Sequence, residues 1–89
     1  WITRGDISLI LGEPEAAIYN FIQAAEFYPE NAELEYRLGG LYFLQHESEK
    51  GIFHLKNAMR CNPEYAFIIE ELFPNVFKKI QVKKLLKVK

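Results

Sequence analysis

Two prolines 34 residues apart, Pro29 and Pro63, constrain what this chain can fold into more than any other feature. Proline cannot continue a helix interior, so the two residues mark equivalent helix ends. Self-comparison at the same spacing finds further matched residues, which indicates an internal repeat of helical units. The other matched pairs are Gly5 and Gly39, Ala17 and Gly51, Phe21 and Leu55, and Ala24 and Ala58.

Apolar residues at helical spacing predict an all-α chain with short loops between antiparallel helices. Asn31 and Asn62 are suited to cap helix starts, and His46 is a residue type that tolerates a positive φ at a turn. Pro74 is expected to end the fifth helix, and an amphipathic closing helix then covers the end of the array. The predicted helices span about 1–11, 14–28, 32–45, 48–61, 64–73 and 78–87.

The repeat resembles the tetratricopeptide repeat family over about residues 1–63, with a weaker third start at Ala66. Within one unit the family places Leu-Gly, then Tyr, then small residues and a final Pro. Leu38, Gly39, Tyr42 and Pro63 match that order. The resemblance implies an α-α superhelix of helix hairpins with a C-terminal capping helix, in one domain. Its repeats would span about 1–31 and 32–65, and about 66–89 would hold a partial third repeat and the cap.

Small residues explain the pattern physically, and three substitutions depart from it. Gly39, Gly51 and Ala58 allow two helix backbones to approach closely. The departures are Arg4 for Leu, Ser8 for Tyr, and Glu35 for Trp. We expect the contact at Glu35 to be loosened.

No catalytic or metal-binding constellation is visible. The paired glutamates lie one or two residues apart, which on a helix do not face each other. His54 and Cys61 could share a helix face, but two ligands do not complete a zinc site. We interpret Cys61 as a buried apolar residue and His54 as a surface residue. The sequence therefore predicts no enzyme, no cofactor and no metal site.

The family resemblance implies a concave groove lined by the first helix of each pair. Carried onto this chain, Tyr36, Phe43 and Phe67 would anchor apolar side chains of a peptide, and Arg37 would pair with a carboxylate. Two alternatives remain: Phe43 is ordinary core between repeats, or Arg37 pairs only with Glu33. The candidate groove residues are Asp6, Tyr36, Arg37, Phe43, Phe67 and Glu71.

Some family members hold a C-terminal carboxylate in a clamp of Lys, Arg and Asn residues. At the matching positions this chain has Asp6 and Glu71, which would repel a carboxylate, and only Arg37 is cationic. A carboxylate-clamp function is therefore not expected.

Charge divides the chain. Residues 1–74 carry 12 acidic and five basic side chains, a net charge of −7, whereas 75–89 carry six lysines and no acid. Three explanations for this tail stay open: a structural cap whose lysine stems cover apolar surface, an anchor that contacts the acidic body or steers an acidic partner, or a patch for anionic surfaces. The acidic body disfavours nucleic acid, and a membrane partner is not expected.

Together these features favour a non-catalytic scaffold or adaptor that binds a peptide or partner helix. The alternatives are the C-terminal end of a longer array that self-associates beside Trp1, and an anionic-surface binder that uses the lysines. The start without Met suggests a piece of a longer protein. A cytoplasmic location is expected, because the single cysteine suits a reducing compartment and no signal peptide is evident.

Overall fold

A computed structural model describes residues 2–87 of the chain. Those residues contain helices, turns and no strand, which confirms the predicted all-α helical-hairpin fold. The helices are α1 (Ile2–Ile10), α2 (Pro14–Phe27), α3 (Ala32–Leu44), α4 (Ser48–Cys61), α5 (Phe67–Leu72), α6 (Pro74–Phe77) and α7 (Ile80–Leu85), with a 3₁₀ turn at Pro63–Ala66 between α4 and α5.

The two long hairpins close with the same turn. Gly12 and His46, 34 residues apart, have φ values of 73° and 62°. The next residue in each turn donates its N–H back across the helix end, Glu13 to Ser8 O at 2.8 Å and Glu47 to Tyr42 O at 2.9 Å. This is the bonding of a helix that ends on a left-handed residue. The tolerance expected of His46 is confirmed.

Helix starts follow the predicted caps. The Oδ1 of Asn31 accepts a hydrogen bond from Leu34 N at 3.1 Å, which satisfies one of the free donors at the start of α3. The Oδ1 of Asn62 accepts from Glu64 N at 3.0 Å at the start of the 3₁₀ turn. Both capping predictions are confirmed.

Helix α3 is the centre of the fold, because it packs against α2, α4 and α5. Gly39 of α3 and Gly51 of α4 face each other across the second hairpin. A Cβ atom built on Gly39 would lie 2.7 Å from the Leu55 side chain and 3.2 Å from Gly51 O. The backbones can approach this closely only because both positions lack a side chain.

The C-terminal segment differs from the prediction. The fifth helix begins with a 3₁₀ turn, and the closing helix spans Ile80–Leu85 rather than 78–87, after the separate turn of α6. Val76 and Val82 are both buried. In one continuous helix they would lie about 120° apart around the axis, so the extended backbone at Lys79 (ψ 134°) lets both reach the core.

Candidate peptide-binding surface

A surface pocket of about 210 Å³ lies between the start of α3 and α5. Phe67 forms part of its wall with half of its surface exposed. The ring of Tyr65 packs against that of Phe67 edge-on, with 6.1 Å between centroids. The lining residues are Glu33, Arg37, Tyr65, Phe67, Ile68, Glu71 and Leu72. Three of the six predicted groove residues, Arg37, Phe67 and Glu71, therefore come together here.

Arg37 is held in place by two acidic residues. Its Nε donates to Asp6 Oδ1 at 3.0 Å, which links α3 to α1. Its Nη1 donates to the Glu33 carbonyl oxygen at 3.2 Å and lies 3.8 Å from Glu33 Oε2. Only 14% of the Arg37 side chain is exposed. The guanidinium charge is thus balanced within the chain, whereas Glu33 and Glu71 remain exposed.

Tyr36 is buried and does not face an open groove. Its hydroxyl donates to the Asn62 carbonyl oxygen at 2.9 Å and lies 3.3 Å from Met59 Sδ. Burial, with a smaller contribution from Cys61, raises the pKa of Tyr36 to about 12. The predicted anchoring role of Tyr36 is wrong, because its ring packs inside the fold and its hydroxyl already has an acceptor.

Phe43 is also part of the core, with 3% of its surface exposed. It packs over Gly51, where an added Cβ would lie 2.5 Å from the Phe43 ring. Phe43 is therefore core, as the alternative interpretation expected, but its contact with Gly51 lies within the second hairpin rather than between repeats.

Glu35, where the sequence predicts a loosened contact, instead makes a close polar contact with His54. His54 Nδ1 and Glu35 Oε2 lie 2.8 Å apart, and both side chains are more than four-fifths buried. The His54 ring also stacks on Tyr42, with centroids 5.3 Å apart and planes 10° from parallel. This contact joins α3 to α4, and the prediction that His54 is a surface residue is wrong.

Cys61 is exposed, in contrast to the prediction that it is buried. It is the last residue of α4 and lies at a shallow rim shared with polar residues including Glu30, Asn31 and Asn62. Helix α4 ends at Cys61, so no further turn of that helix covers the side chain. Among residues 2–87, no group of three His, Cys, Asp or Glu side chains is placed to hold a metal ion.

Sequence reasoning missed three of the pocket residues: Tyr65, Ile68 and Leu72. Glu33 was expected on the groove side of its helix, and also as a partner for Arg37. Tyr65 reaches the wall because Pro63–Ala66 forms a 3₁₀ turn rather than the predicted helix. Ile68 and Leu72 are one and five residues from Phe67, so the signal was their proximity to a predicted groove position.

In the part of the chain that the structure covers, no helix is long and apolar enough to cross a membrane.

Comparison with known proteins finds two similar sequences. A stretch of 62 residues is 34% identical to the Protein CTR9 homolog of Arabidopsis thaliana, and a stretch of 63 residues is 38% identical to the BBSome complex member BBS4 of Bos taurus. They cover 70% and 71% of this chain but only 6% and 12% of those proteins. No family model matches the chain, and no solved structure matches it. The repeated helical hairpins are consistent with the tetratricopeptide resemblance.

Proposed function

We propose that this chain is a non-catalytic protein–protein interaction module that binds a peptide or partner helix in the pocket between α3 and α5. One observation carries the proposal: the half-exposed Phe67 ring lines one pocket together with Arg37, which is held by an ion pair to Asp6, and with the exposed Glu71. Aromatic and Arg side chains are the residues on which binding energy most often concentrates. Similarity to a member of the BBSome complex supports a role within a protein complex.

The chemistry of the pocket selects the peptide. Asp6 and Glu33 already balance the Arg37 guanidinium, so a partner carboxylate gains little from it. Glu33 and Glu71 instead attract a cation. The best ligand places an apolar side chain on Phe67 and Leu72 and a Lys or Arg beside the glutamates.

The test is selection of peptides from a random displayed library, followed by affinity measurements on Phe67→Ala. Selected peptides should be apolar and basic, and Phe67→Ala should weaken them by about tenfold or more, as for an interface hot spot. Phe53→Ala, which removes a similarly exposed ring from α4, is the matched control and should bind as the parent does. Equal losses in both variants, or selection of acidic peptides only, would contradict the proposal.

Self-association is a second candidate function, favoured by the exposed apolar side chains of the first hairpin. Ile7, Ile10 and Leu11 are each more than half exposed, and such clusters mark interaction sites. Trp1, which we expected beside this face, lies outside the described residues. Light scattering over a range of concentrations should find a dimer that Ile10→Glu converts to a monomer. A monomer at every concentration would rule this candidate out.

The setting of the module is also part of the proposal. The predicted repeats at about 1–31 and 32–65, with the partial third repeat and cap at about 66–89, would stack within a longer parent protein. An exposed free thiol at Cys61 suits a reducing cytoplasm, where such cysteines remain unpaired.

A further inference from the structure

A second groove, of about 630 Å³, lies between α4 and α7 and shares no residue with the α3–α5 pocket. Met59 and Leu85 form an apolar floor in which both side chains are partly buried. Its size falls within the range typical of ligand-binding clefts, about 300–1,000 Å³. The lining residues are Lys56, Met59, Arg60, Pro63, Leu85 and Lys87.

The charge of this groove has a single sign. Lys56, Arg60 and Lys87 form its rim and are exposed. None of the described residues that line it is acidic. Residues 1–74 carry a net charge of −7, which already includes Lys56 and Arg60, and the exposed Lys78, Lys79, Lys83 and Lys84 lie outside the lining of this groove. A positive rim beside a body of net negative charge attracts a negative ligand.

We propose that the groove binds an acidic segment of a partner protein that carries an aliphatic side chain between its carboxylates. The three cations pair with Asp or Glu of the segment, and the apolar floor of Met59 and Leu85 receives the aliphatic group. The second site would let one chain hold a basic segment at α3–α5 and an acidic segment at α4–α7 together.

The geometry disfavours the other anionic partners. Single-stranded nucleic acid that is bound without sequence preference stacks on aromatic side chains, and the described lining of this groove has no aromatic residue. A bilayer is broad and would meet acidic surface as well as lysines, which weakens its attraction to a chain of net charge −1. A short peptide can meet the positive rim and the apolar floor without touching the acidic surface.

The test uses a labelled synthetic peptide with the repeat Glu-Glu-Leu, titrated with the whole chain and followed by fluorescence anisotropy. It should bind, and added salt should weaken it because the rim charges are exposed. A matched peptide with Ser in place of Leu should bind about tenfold more weakly, because the apolar floor then has no partner. Equal binding of both peptides would show that the groove recognises only the charge of the peptide, which overturns the proposal.

Two triple variants with the same change in net charge locate the site. Lys56→Gln, Arg60→Gln and Lys87→Gln together remove the rim and should weaken the Leu peptide by about tenfold or more. Lys78→Gln, Lys79→Gln and Lys83→Gln together leave the groove intact and should weaken it by less than about threefold, through screened charge alone. Equal losses in the two variants would overturn the site.

Parallel titrations distinguish the other occupants. Vesicles with phosphatidylserine, and polyuridylate, should bind more weakly than the peptide at equal charge concentration. If either binds as tightly, the proposal fails in favour of an anionic surface. If the chain dimerises and the rim variant alone abolishes the dimer, a second copy occupies the groove and the proposal also fails.

Discussion

At the residue scale, Gly39 sets how closely α3 and α4 approach. A Cβ there would overlap the Leu55 side chain at 2.7 Å. We expect Gly39→Ala to lower the free energy of unfolding by about 1–3 kcal/mol, as overpacking of a tight interface does. Chemical denaturation monitored by circular dichroism measures the change.

Leu55→Ala tests whether the destabilisation comes from overlap with the Leu55 side chain. By itself, this variant leaves a cavity and lowers the free energy of unfolding by about 2–5 kcal/mol. Combined with Gly39→Ala it should cost less than the sum of the two single changes, because the new methyl group occupies vacated space. Strictly additive costs would mean that the two residues are not in contact.

The raised pKa of Tyr36 determines how the stability of the fold should change in alkali. The pKa of Tyr36 is raised from 10.0 to about 12 in the folded chain, first by burial and then by Cys61. Between these values the unfolded state has lost the phenol proton and the folded state has kept it. The stabilisation that the raised pKa of Tyr36 provides is therefore complete below pH 10. It is lost as the pH rises towards 12, and the free energy of unfolding falls by up to about 1.4 kcal/mol per pH unit.

Comparison with Tyr36→Phe isolates this effect from the other groups that titrate in alkali. At neutral pH the variant should be about 1 kcal/mol less stable, because Asn62 O loses the nearer of its two donors, the other being Tyr65 N. Above pH 10 its stability should fall less steeply than that of the parent. Parallel curves for the two proteins in denaturation experiments would contradict a protected Tyr36 phenol.

At the scale of the element, α3 depends on its cap. Asn31 Oδ1 accepts from Leu34 N at 3.1 Å, and Asn31→Ala should cost about 1 kcal/mol of stability. Asn31→Asp keeps the acceptor oxygen and should stay within about 0.5 kcal/mol of the parent. Thermal melts of the three proteins compare them directly, and an Asp variant as unstable as the Ala variant would mean that the cap is not the cause.

Some element boundaries can be predicted from residues close in the chain, and others cannot. The turns at Gly12 and His46, the caps and the helix-ending prolines all act over a few residues, so the hairpins could be predicted. The break at Lys78 and Lys79 could not, since no Gly or Pro marks it. It follows from the burial of Val76 and Val82 against distant helices.

At the scale of the whole molecule, we propose that α7 and the next residue, Leu86, close one end of the helical array. Leu86 is 5% exposed, whereas Ile80 is 73% exposed. Leu86→Ala should cost about 2 kcal/mol or more, and Ile80→Ala should stay within about 0.5 kcal/mol of the parent. Urea denaturation tests both, and equal costs would argue against a closing role for this segment.

The predicted groove residues fall into two groups, those that line a surface pocket and those that are buried in the core. Arg37, Phe67 and Glu71 line one pocket, and their role in binding stays a prediction. Tyr36 and Phe43 occupy positions of the same kind yet are buried. Position in a repeat specifies the helix face, but exposure depends on which neighbour packs over that face.

The amino-acid sequence by itself determined the all-α class, the hairpins, their turns and their caps, because φ preferences, capping and helical periodicity operate between residues close in the chain. Only the tertiary structure decided that Cys61 is exposed, that Tyr36 and Phe43 are core, and that Glu35 meets His54. Those outcomes arise from contacts between helices far apart in the chain, where packing rather than local preference sets which side chains meet water.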